Sequence, residues 1–288
     1  MQERGFSVLV IAHGRAGHLR QLLAGAERSA ELPCEVVLVY MDEPDPEQVS
    51  CSLPLRIHHV SSRPEETGLP LARARNAAAA LASCPNLVFL DVDCIASATL
   101  FTALVDAIET DPVLAMAQPR YLRAPLETGA SINDFALMEA SLAHHARKNL
   151  AEGGAGSRHE MFWSLGFSIK AELFAQLGGF DEGYTGYGGE DTDFAFRARA
   201  AGVPMVFVAE PLFHQHHGVH KPPFNHFEAI VANARLFHGR WGTWPMEGWL
   251  GAFASAGLLE WAPAGTGFTV LRTPTGGEIE SARSSDPY

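Results

Sequence analysis

The chain has 288 residues, of which 47% are hydrophobic and 19% are charged, so it is long enough and apolar enough to bury a substantial core. This composition excludes a wholly disordered chain and a collagen-like chain. The 33 acidic and 21 basic side chains give a net charge of −12, which disfavours a broad nucleic-acid-binding surface.

In the first half of the chain, apolar runs rich in β-branched residues alternate with helical patterns. Residues 6–12 form the first predicted strand, and leucines and alanines then recur at helical spacing over 19–26. Further strands are predicted at 35–40, 55–60, 86–90 and 114–118, and further helices at 71–82 and 98–110. This alternation is typical of a mostly parallel sheet covered by helices, so we expect an α/β fold.

Beyond Arg120 the pattern becomes less regular. A helical stretch over 131–148 leads into the glycine-rich segment 152–157, which we interpret as a linker or as a loop that closes over a ligand. The later predicted elements are a strand at 162–169, a short helix ended by Gly178-Gly179, a helix at 192–201, and strands at 204–208 and 268–272. The Gly-, Ala-, Pro- and Ser-rich end of the chain predicts a disordered tail.

Cysteine usage and the N-terminal apolar run bear on the cellular location. The four cysteines form no Cys-x-x-Cys pair, which favours reduced thiols over a disulfide scaffold or a thiolate zinc site. The run at 6–12 is too short to span a membrane, and its flanks do not resemble a secretory signal. We therefore expect a soluble cytoplasmic protein, with peripheral attachment to a membrane as the alternative.

Two carboxylates, Asp91 and Asp93, come directly after the predicted strand 86–90. Open α/β sheets bind ligands at the carboxyl ends of their strands, and paired carboxylates offer oxygen ligands to Mg²⁺ or Mn²⁺. A solvated turn is the alternative interpretation, because an Asp-x-Asp triplet also arises by chance in a chain of this length.

A second group of acids follows paired glycines in the segment 187–193, Tyr-Gly-Gly-Glu-Asp-Thr-Asp. Glycines let the backbone approach a ligand closely, and a helix N-terminus favours ionised acids. A helix cap explains one of the acids. Three acids in four residues, beside two tyrosines, indicate instead a catalytic base with substrate-binding neighbours.

Five of the 13 histidines crowd into residues 214–226. His214 and His216 alternate at the end of a predicted strand and can face one ion together, although a solvated loop is the alternative. Imidazole combined with carboxylate suits Mn²⁺, Fe²⁺ or Zn²⁺. Aromatic faces for sugar stacking or for core packing are offered by Trp163, Trp241, Trp244 and Trp249.

Together these motifs resemble the inverting glycosyltransferases of the GT-A fold, in particular family 2 and the related β-1,4-galactosyltransferase C-terminal region. The matching segments are 8–19, 71–77, 90–93 and 178–194. The resemblance implies a Rossmann-like, mostly parallel sheet flanked by helices, with a C-terminal acceptor-binding part. We expect a nucleotide-sugar-binding half at 1–123, an acceptor and catalytic half of the same domain at 124–250, and a partly flexible extension at 251–288.

The resemblance also implies roles for individual residues. Asp191 is the expected general base, and Glu190 beside it is expected to bind the acceptor. The expected metal ligands, for Mn²⁺ or Mg²⁺, are Asp93, His214 and His216. The residues expected at the UDP-sugar are Ala12, His13, Arg15, Asp42, Arg75, Asn76, Asp91 and Asp93. Those expected at the acceptor are Trp163, Tyr187, Gly188, Gly189 and Glu190.

The implied activity is transfer of a sugar, with inversion, from a UDP-sugar to a hydroxyl of a saccharide or glycoconjugate, with segment 152–157 as a lid. Galactose or N-acetylgalactosamine is the expected sugar, ahead of glucose. A metal-dependent nucleotidyltransferase or sugar-nucleotide hydrolase is one alternative, and it would not need Asp191 as a base. The other alternative is a non-catalytic sugar-binding module of the same fold. Tyr187 departs from the family, since many galactosyltransferases have Trp there.

Overall fold

A ten-stranded sheet runs through the computed structural model of the chain, which describes residues 4–127, 132–144, 146, 155–156 and 159–286. Its strands are β1 (Phe6–Ala12), β2 (Glu35–Met41), β3 (Leu55–Val60), β4 (Asn86–Leu90), β5 (Cys94–Ala96), β6 (Leu114–Leu122), β7 (Ser141–Ala143), β8 (Ala155–Gly156), β9 (Gly166–Lys170) and β10 (Met205–His214). Among the described residues, two small antiparallel pairs of strands lie outside this sheet. They are β11 (Val219–His220) with β14 (Arg283–Ser284), and β12 (Leu259–Glu260) with β13 (Thr269–Val270).

The helices of the described residues fall between these strands. They are α1 (Ala16–Glu27), α2 (Leu71–Leu81), α3 (Leu100–Thr110), α4 (Asp134–Ala140), α5 (Ala171–Gln176), α6 (Glu190–Ala200), α7 (Phe227–Trp241), α8 (Glu247–Ser255) and α9 (Gly276–Ser281). None of the helices in this described part of the chain has both the length and the apolar character that crossing a membrane requires.

The order of strands in the sheet is β3-β2-β1-β4-β9-β6-β10-β5. Strands β3, β2, β1 and β4 are parallel neighbours, and β6 and β10 form a second parallel pair. Between these two groups lies β9, which is antiparallel to both β4 and β6. A strand from the expected second half, β9, is therefore inserted between two strands of the expected first half, β4 and β6.

Helices cover both faces of this sheet because neighbouring residues of a strand point to opposite sides. On one face, Val8 and Val10 of β1 belong to a core cluster with leucines of α1 and α3. On the other face, Leu9 and Ile11 join alanines of α2 and Phe194 of α6. The α/β fold predicted from the sequence is confirmed, and it brings the carboxyl ends of β1 and β4 to one edge.

Several predicted elements differ from the structure. Among the described residues of the predicted helix 131–148, the structure has the short α4 followed by β7, and β10 continues past the predicted end at 208 as far as His214. Helices α7 and α8 were not predicted, and they form a third apolar cluster with residues near the chain's end. In the C-terminal part, where we expected a partly flexible extension with a strand at 268–272 and a disordered tail, the structure has β12, β13, α9 and β14, and β13 lies within the predicted strand.

Of the glycine-rich segment 152–157, only Ala155 and Gly156 are described. They form β8, which pairs with Met205 and Val206 at the start of β10. The rest of that segment lies outside the described residues, so the expected lid remains a prediction.

Candidate active site

Asp91 and Asp93 lie at the carboxyl edge of the sheet, where β4 ends and the short strand β5 begins. A turn joins the two strands, closed by the Cys94 amide donating to the Asp91 carbonyl oxygen at 2.9 Å. In the antiparallel pair of β5 and β10, Cys94 lies opposite His214. This register brings Asp93, which is 7% exposed, against the histidine-rich segment.

Asp93, His214 and His217 form a candidate metal centre. Each offers one ligand atom, and these atoms all lie within 4.8 Å of one another. The His217 Nε2 is 3.3 Å from Asp93 Oδ2. His216, the third ligand expected from the sequence, is not part of this group, because its Nε2 donates to the Ser285 carbonyl oxygen at 2.8 Å. The alternation of side chains ends with β10 at His214, so the turn that follows presents His217 instead.

The ligand atoms of this centre suit a divalent transition metal. Burial lowers the pKa of His214 to about 4, so its imidazole is neutral at pH 7, the form that binds a metal. Its Nδ1 is buried with no hydrogen-bond partner in the described structure. One carboxylate with two imidazoles is a donor set for Mn²⁺, Fe²⁺ or Zn²⁺ rather than for Mg²⁺.

The start of helix α1 places a cationic side chain and a hydrogen-bonding side chain beside Asp93. The His18 Nδ1 donates to Asp93 Oδ1, and the Arg15 Nε is 3.7 Å from the same oxygen. Burial alone would raise the pKa of Asp93, but the hydrogen bonds from His18 and His217 and the charge of Arg15 hold it well below its usual range. His18 was missed from the sequence. The feature that could have indicated His18 as a site residue is its position in the first turn of the helix that follows β1, the strand that pairs with β4.

The expected nucleotide-binding residues at the ends of β1 and β2 lie at this same edge. Ala12 is the buried last residue of β1, and His13 Nδ1 donates to the Met41 carbonyl oxygen at 2.7 Å. Asp42 follows β2 with a left-handed backbone, φ 47°, and its carboxylate accepts from the Ser62 amide at 2.6 Å and the Ser62 hydroxyl at 2.5 Å.

Arg75 and Asn76, also expected at the nucleotide, have partners in the segment 180–190 instead. The buried Arg75 donates through Nη1 to Glu190 Oε1 at 3.0 Å. The Asn76 amide donates to the Phe180 carbonyl oxygen at 2.8 Å and to Glu182 Oε1 at 3.0 Å, and its oxygen accepts from the Phe180 amide at 2.8 Å. These hydrogen bonds show that this turn of α2 contacts the segment before α6 and the start of α6.

Glu190 and Asp191 occupy the first turn of α6, after the left-handed Gly189. Glu190 is 5% exposed, and its Oε2 is buried without a hydrogen-bond partner in the described structure. Asp191 is half-buried and accepts from the Thr192 amide at 2.7 Å. Burial, with the charge of Glu190 adding to it, raises the pKa of Asp191 to about 7. Such a carboxyl can take up a proton near neutral pH, as a general base must.

Arg75 links the two groups of acids. Burial raises the pKa of Asp91 to about 6, with the charge of Asp93 adding to the rise, and the Arg75 guanidinium partly offsets it. The same guanidinium partly offsets the rise caused by burial at Asp191. One buried cation therefore lies near the carboxylates at the end of β4 and near those at the start of α6.

The third acid of the second group, Asp193, has a structural role. It is fully buried and its carboxylate accepts from four side chains: Arg197 Nε at 2.8 Å, Arg240 Nη1 at 2.7 Å, Trp241 Nε1 at 2.9 Å and the Tyr184 hydroxyl at 3.3 Å. These bonds connect α6 to α7. The carboxylate is thereby saturated by the protein itself.

The aromatic residues considered for the acceptor have different surroundings. Tyr187 is 41% exposed, and its ring stacks on His226 and Trp249 with centroid distances of 4.6 and 5.6 Å. Trp163 is half-buried and meets His144 edge to face. Trp244 is buried and stacks on His238, and Trp241 bonds to Asp193, so those two tryptophans pack the core.

Gly188 and Gly189 adopt left-handed backbones, with φ of 95° and 94°. A Cβ at Gly188 would lie 2.7 Å from the Met246 Sδ. Both positions therefore require glycine for the turn that leads into Glu190.

Two family models match the chain. The one described as glycosyl transferase family 2 matches residues 7–170, more than half of the chain, and this range includes Asp91 and Asp93. The one described as the N-terminal domain of galactosyltransferase matches residues 145–221, a range that includes Glu190, Asp191 and the histidines of the candidate metal centre.

Two curated relatives are validoxylamine A glucosyltransferases of Streptomyces hygroscopicus. The one from subspecies limoneus is 29% identical over 253 residues, 80% of this chain and 54% of the relative. The one from subspecies jinggangensis strain 5008 is 32% identical over 200 residues, 63% of this chain and 46% of the relative. The chain thus spans about half the length of the curated relatives it matches.

One solved structure of similar fold is that of GalNAc-T7 with UDP, GalNAc and Mn²⁺. Its TM-score is 0.55 and its sequence identity is 17%, and the match covers 82% of this chain and 51% of the GalNAc-T7 chain. Another is S. aureus TarS 1–349 in complex with UDP, with a TM-score of 0.51 and 16% identity over 80% of this chain and 64% of that one. At this identity the likeness concerns the fold alone, and it confirms the expected GT-A fold.

Proposed function

The chain belongs to glycosyltransferase family 2, and we propose that it transfers a hexose from a UDP-sugar to a hydroxyl of a saccharide or glycoconjugate acceptor, with inversion at the anomeric carbon. The observation that carries the proposal is that two groups of acidic residues, one at the end of β4 and one at the start of α6, lie near Arg75. Asp93 belongs to a three-residue cluster that fits a divalent cation, and Asp191 has a pKa of about 7. Residues 1–123 would hold the donor, and residues 124–250 would hold the acceptor.

In this proposal Asp191 accepts the proton of the acceptor hydroxyl as that oxygen attacks the anomeric carbon from the face opposite the leaving UDP. Glu190 Oε2, which has no partner in the described structure, accepts a hydrogen bond from a second acceptor hydroxyl, while Arg75 fixes Oε1. Asp93, His214 and His217 would hold Mn²⁺, which supplies positive charge at the diphosphate when bound.

We infer the identity of the donor sugar from the relatives and not from the geometry of the site. The curated relatives are named as glucosyltransferases, which supports UDP-glucose. The galactosyltransferase family match supports UDP-galactose, and the GalNAc-T7 complex supports UDP-GalNAc only through the fold. We propose UDP-glucose first, ahead of the galactose-type donors that the motifs alone favoured.

A donor screen with Mn²⁺ tests this function. UDP release is followed for each of the three UDP-sugars, with and without a panel of mono- and disaccharide acceptors. Acceptor-stimulated UDP release with a glycosylated product supports the proposal. UDP release that no acceptor stimulates would favour a sugar-nucleotide hydrolase, and binding of UDP without turnover would favour a sugar-binding module.

A further inference from the structure

Asn233 of α7 is a buried amide, 2% exposed, that contacts the loop leading into Glu190 and Asp191. Its Nδ2 donates to the carbonyl oxygens of Thr185, at 3.0 Å, and Gly188, at 2.8 Å. The carbonyl oxygen of Tyr187 lies 3.5 Å from the same nitrogen. One side chain therefore meets three carbonyl groups of the loop 185–188.

The loop 185–188 is closely confined on its other sides. A Cβ at Gly186 would lie 2.1 Å from the Thr67 carbonyl oxygen, and one at Gly188 would lie 2.7 Å from the Met246 Sδ. Gly186 also has a left-handed backbone, φ 68°. In such a turn the carbonyl groups do not pair within a strand or helix, so their hydrogen bonds come from side chains or from water. The Asn233 amide is the side-chain donor that meets this need.

The residues that follow the loop are those that the proposed function assigns to the acceptor. Tyr187 lies within the loop, and Glu190 and Asp191 come directly after it. The candidate metal centre is held by other elements, namely the pairing of β5 with β10 and the first turn of α1. A shift of the loop would consequently move the acceptor contacts without moving Asp93, His214 or His217.

We propose that Asn233 is a positioning residue for the acceptor: it fixes the loop 185–188 and, through it, Tyr187, Glu190 and Asp191. This inference rests on the proposed function, because it assigns the loop to acceptor binding. Asn233 itself lies beneath the loop backbone and is not expected to touch either substrate.

The test compares Asn233→Ala and Asn233→Asp with the unaltered chain. The first removes the donor, and the second keeps the size of the side chain but faces the carbonyl groups with a carboxylate. We expect the acceptor KM to rise about tenfold or more in both and the kcat of transfer to fall. Mn²⁺-dependent binding of UDP should stay within about twofold of the unaltered chain.

A matched control is Asn86→Ala. Asn86 is also a fully buried asparagine and donates to the Gly5 carbonyl oxygen at 3.2 Å, but it begins β4 at the opposite end of the strand from Asp91. It should lower the melting temperature without changing the acceptor KM, which separates positioning from a general loss of stability.

The outcomes are distinct. Asn233 variants that fold and bind UDP normally, with an acceptor KM within about twofold of the unaltered chain, would overturn the positioning role, as would a loss of UDP binding that matches the loss of transfer. If Asn233→Ala does not fold, the isosteric Asn233→Asp carries the test. Failure of the proposed function itself shows differently, because the unaltered chain would then give no acceptor-stimulated release of UDP.

Discussion

His216 and His217 are adjacent residues with separate roles. His217 faces Asp93, whereas His216 donates to the Ser285 carbonyl near the end of the described chain. Because β14 pairs with β11 directly after these histidines, His216 belongs to the contact between the histidine segment and the C-terminal residues. A substitution at His217 therefore tests metal binding, and a substitution at His216 tests the attachment of this segment to the C-terminal residues.

We predict that His217→Ala lowers the affinity for Mn²⁺ at least about tenfold, because it removes an imidazole from a three-ligand group. His216→Ala should change that affinity about twofold or less. Titration of Mn²⁺ by calorimetry or by electron paramagnetic resonance measures both. Equal losses in the two variants would place His216 in the metal centre and contradict the arrangement described above.

Asp191 gives a second prediction at the scale of one residue. With a pKa of about 7, its carboxyl is protonated and inactive as a base at lower pH, so kcat/KM should rise with pH up to about 7 and then level off. Asp191→Asn should reduce transfer by about 10²- to 10⁴-fold and remove this rise from the residual activity. The pH dependence of kcat/KM, measured at saturating donor, checks both expectations.

Stability provides the control for this change. A carboxyl whose pKa is raised by folding favours the folded state when protonated, and this contribution is lost as the pH rises through about 7. Asn at this position carries no charge to bury. The Asp191→Asn protein should therefore be at least as stable as the unaltered chain at pH 8, and a markedly lower melting temperature there would make its loss of activity uninformative.

Among the elements, α6 and α7 depend on one another through Asp193. The carboxylate lies on α6, and two of its partners, Arg240 and Trp241, lie at the end of α7. We predict that Asp193→Asn destabilises the protein by about 3 kcal/mol, because it breaks a buried ion pair and leaves Arg197 without the carboxylate that it pairs with. Urea unfolding measures the loss. Glu280→Gln, at an exposed ion pair with Arg283, is the control and should cost at most about 1 kcal/mol.

Helices α7 and α8 also show where the sequence was insufficient. Apolar runs rich in β-branched residues and apolar residues at helical spacing identified β1, β2, β3, β4, α1, α2 and α3, whose apolar side chains pack in the two clusters on the faces of this sheet. Helix α7 is apolar on several sides, because it packs both on α6, where Phe237 meets Phe196, and on α8, where Phe227 meets Phe253. Its contacts depend on tertiary packing, and so the sequence around Asn233 gave no sign of its role.

The same limit applies to the site. The motifs singled out Asp91, Asp93, Glu190 and Asp191 as candidates because each falls at an element boundary that the sequence indicates, and His214 because it begins the histidine cluster. The position of His217 depends on how the chain turns after β10, and that of His18 depends on β1 pairing with β4. Neither the turn nor the strand order can be read from residue spacing.

For the whole molecule, the placement of β9 means that the two halves share one core. Phe89 of β4 stacks on Phe167 of β9 with a centroid distance of 4.5 Å, and Phe174 of α5 packs against the same ring. We predict that residues 1–123 expressed alone do not form a stable domain, because β4 would present an unpaired apolar edge. Circular dichroism and size-exclusion chromatography of this fragment, beside the full chain, give the test. A monomeric fragment with a cooperative melting transition would show that the donor half folds alone.

The position of β9 also has a consequence for synthesis on the ribosome. At on the order of 5–20 residues per second, β1 to β4 emerge well before the strand that completes their sheet, and the histidines that meet Asp93 emerge later still. The candidate metal centre therefore combines distant parts of the chain and can form only after β10 and the turn that follows it have emerged. A nascent chain stalled before β10 carries both aspartates of the first motif yet lacks the histidines with which Asp93 forms the ion-binding cluster.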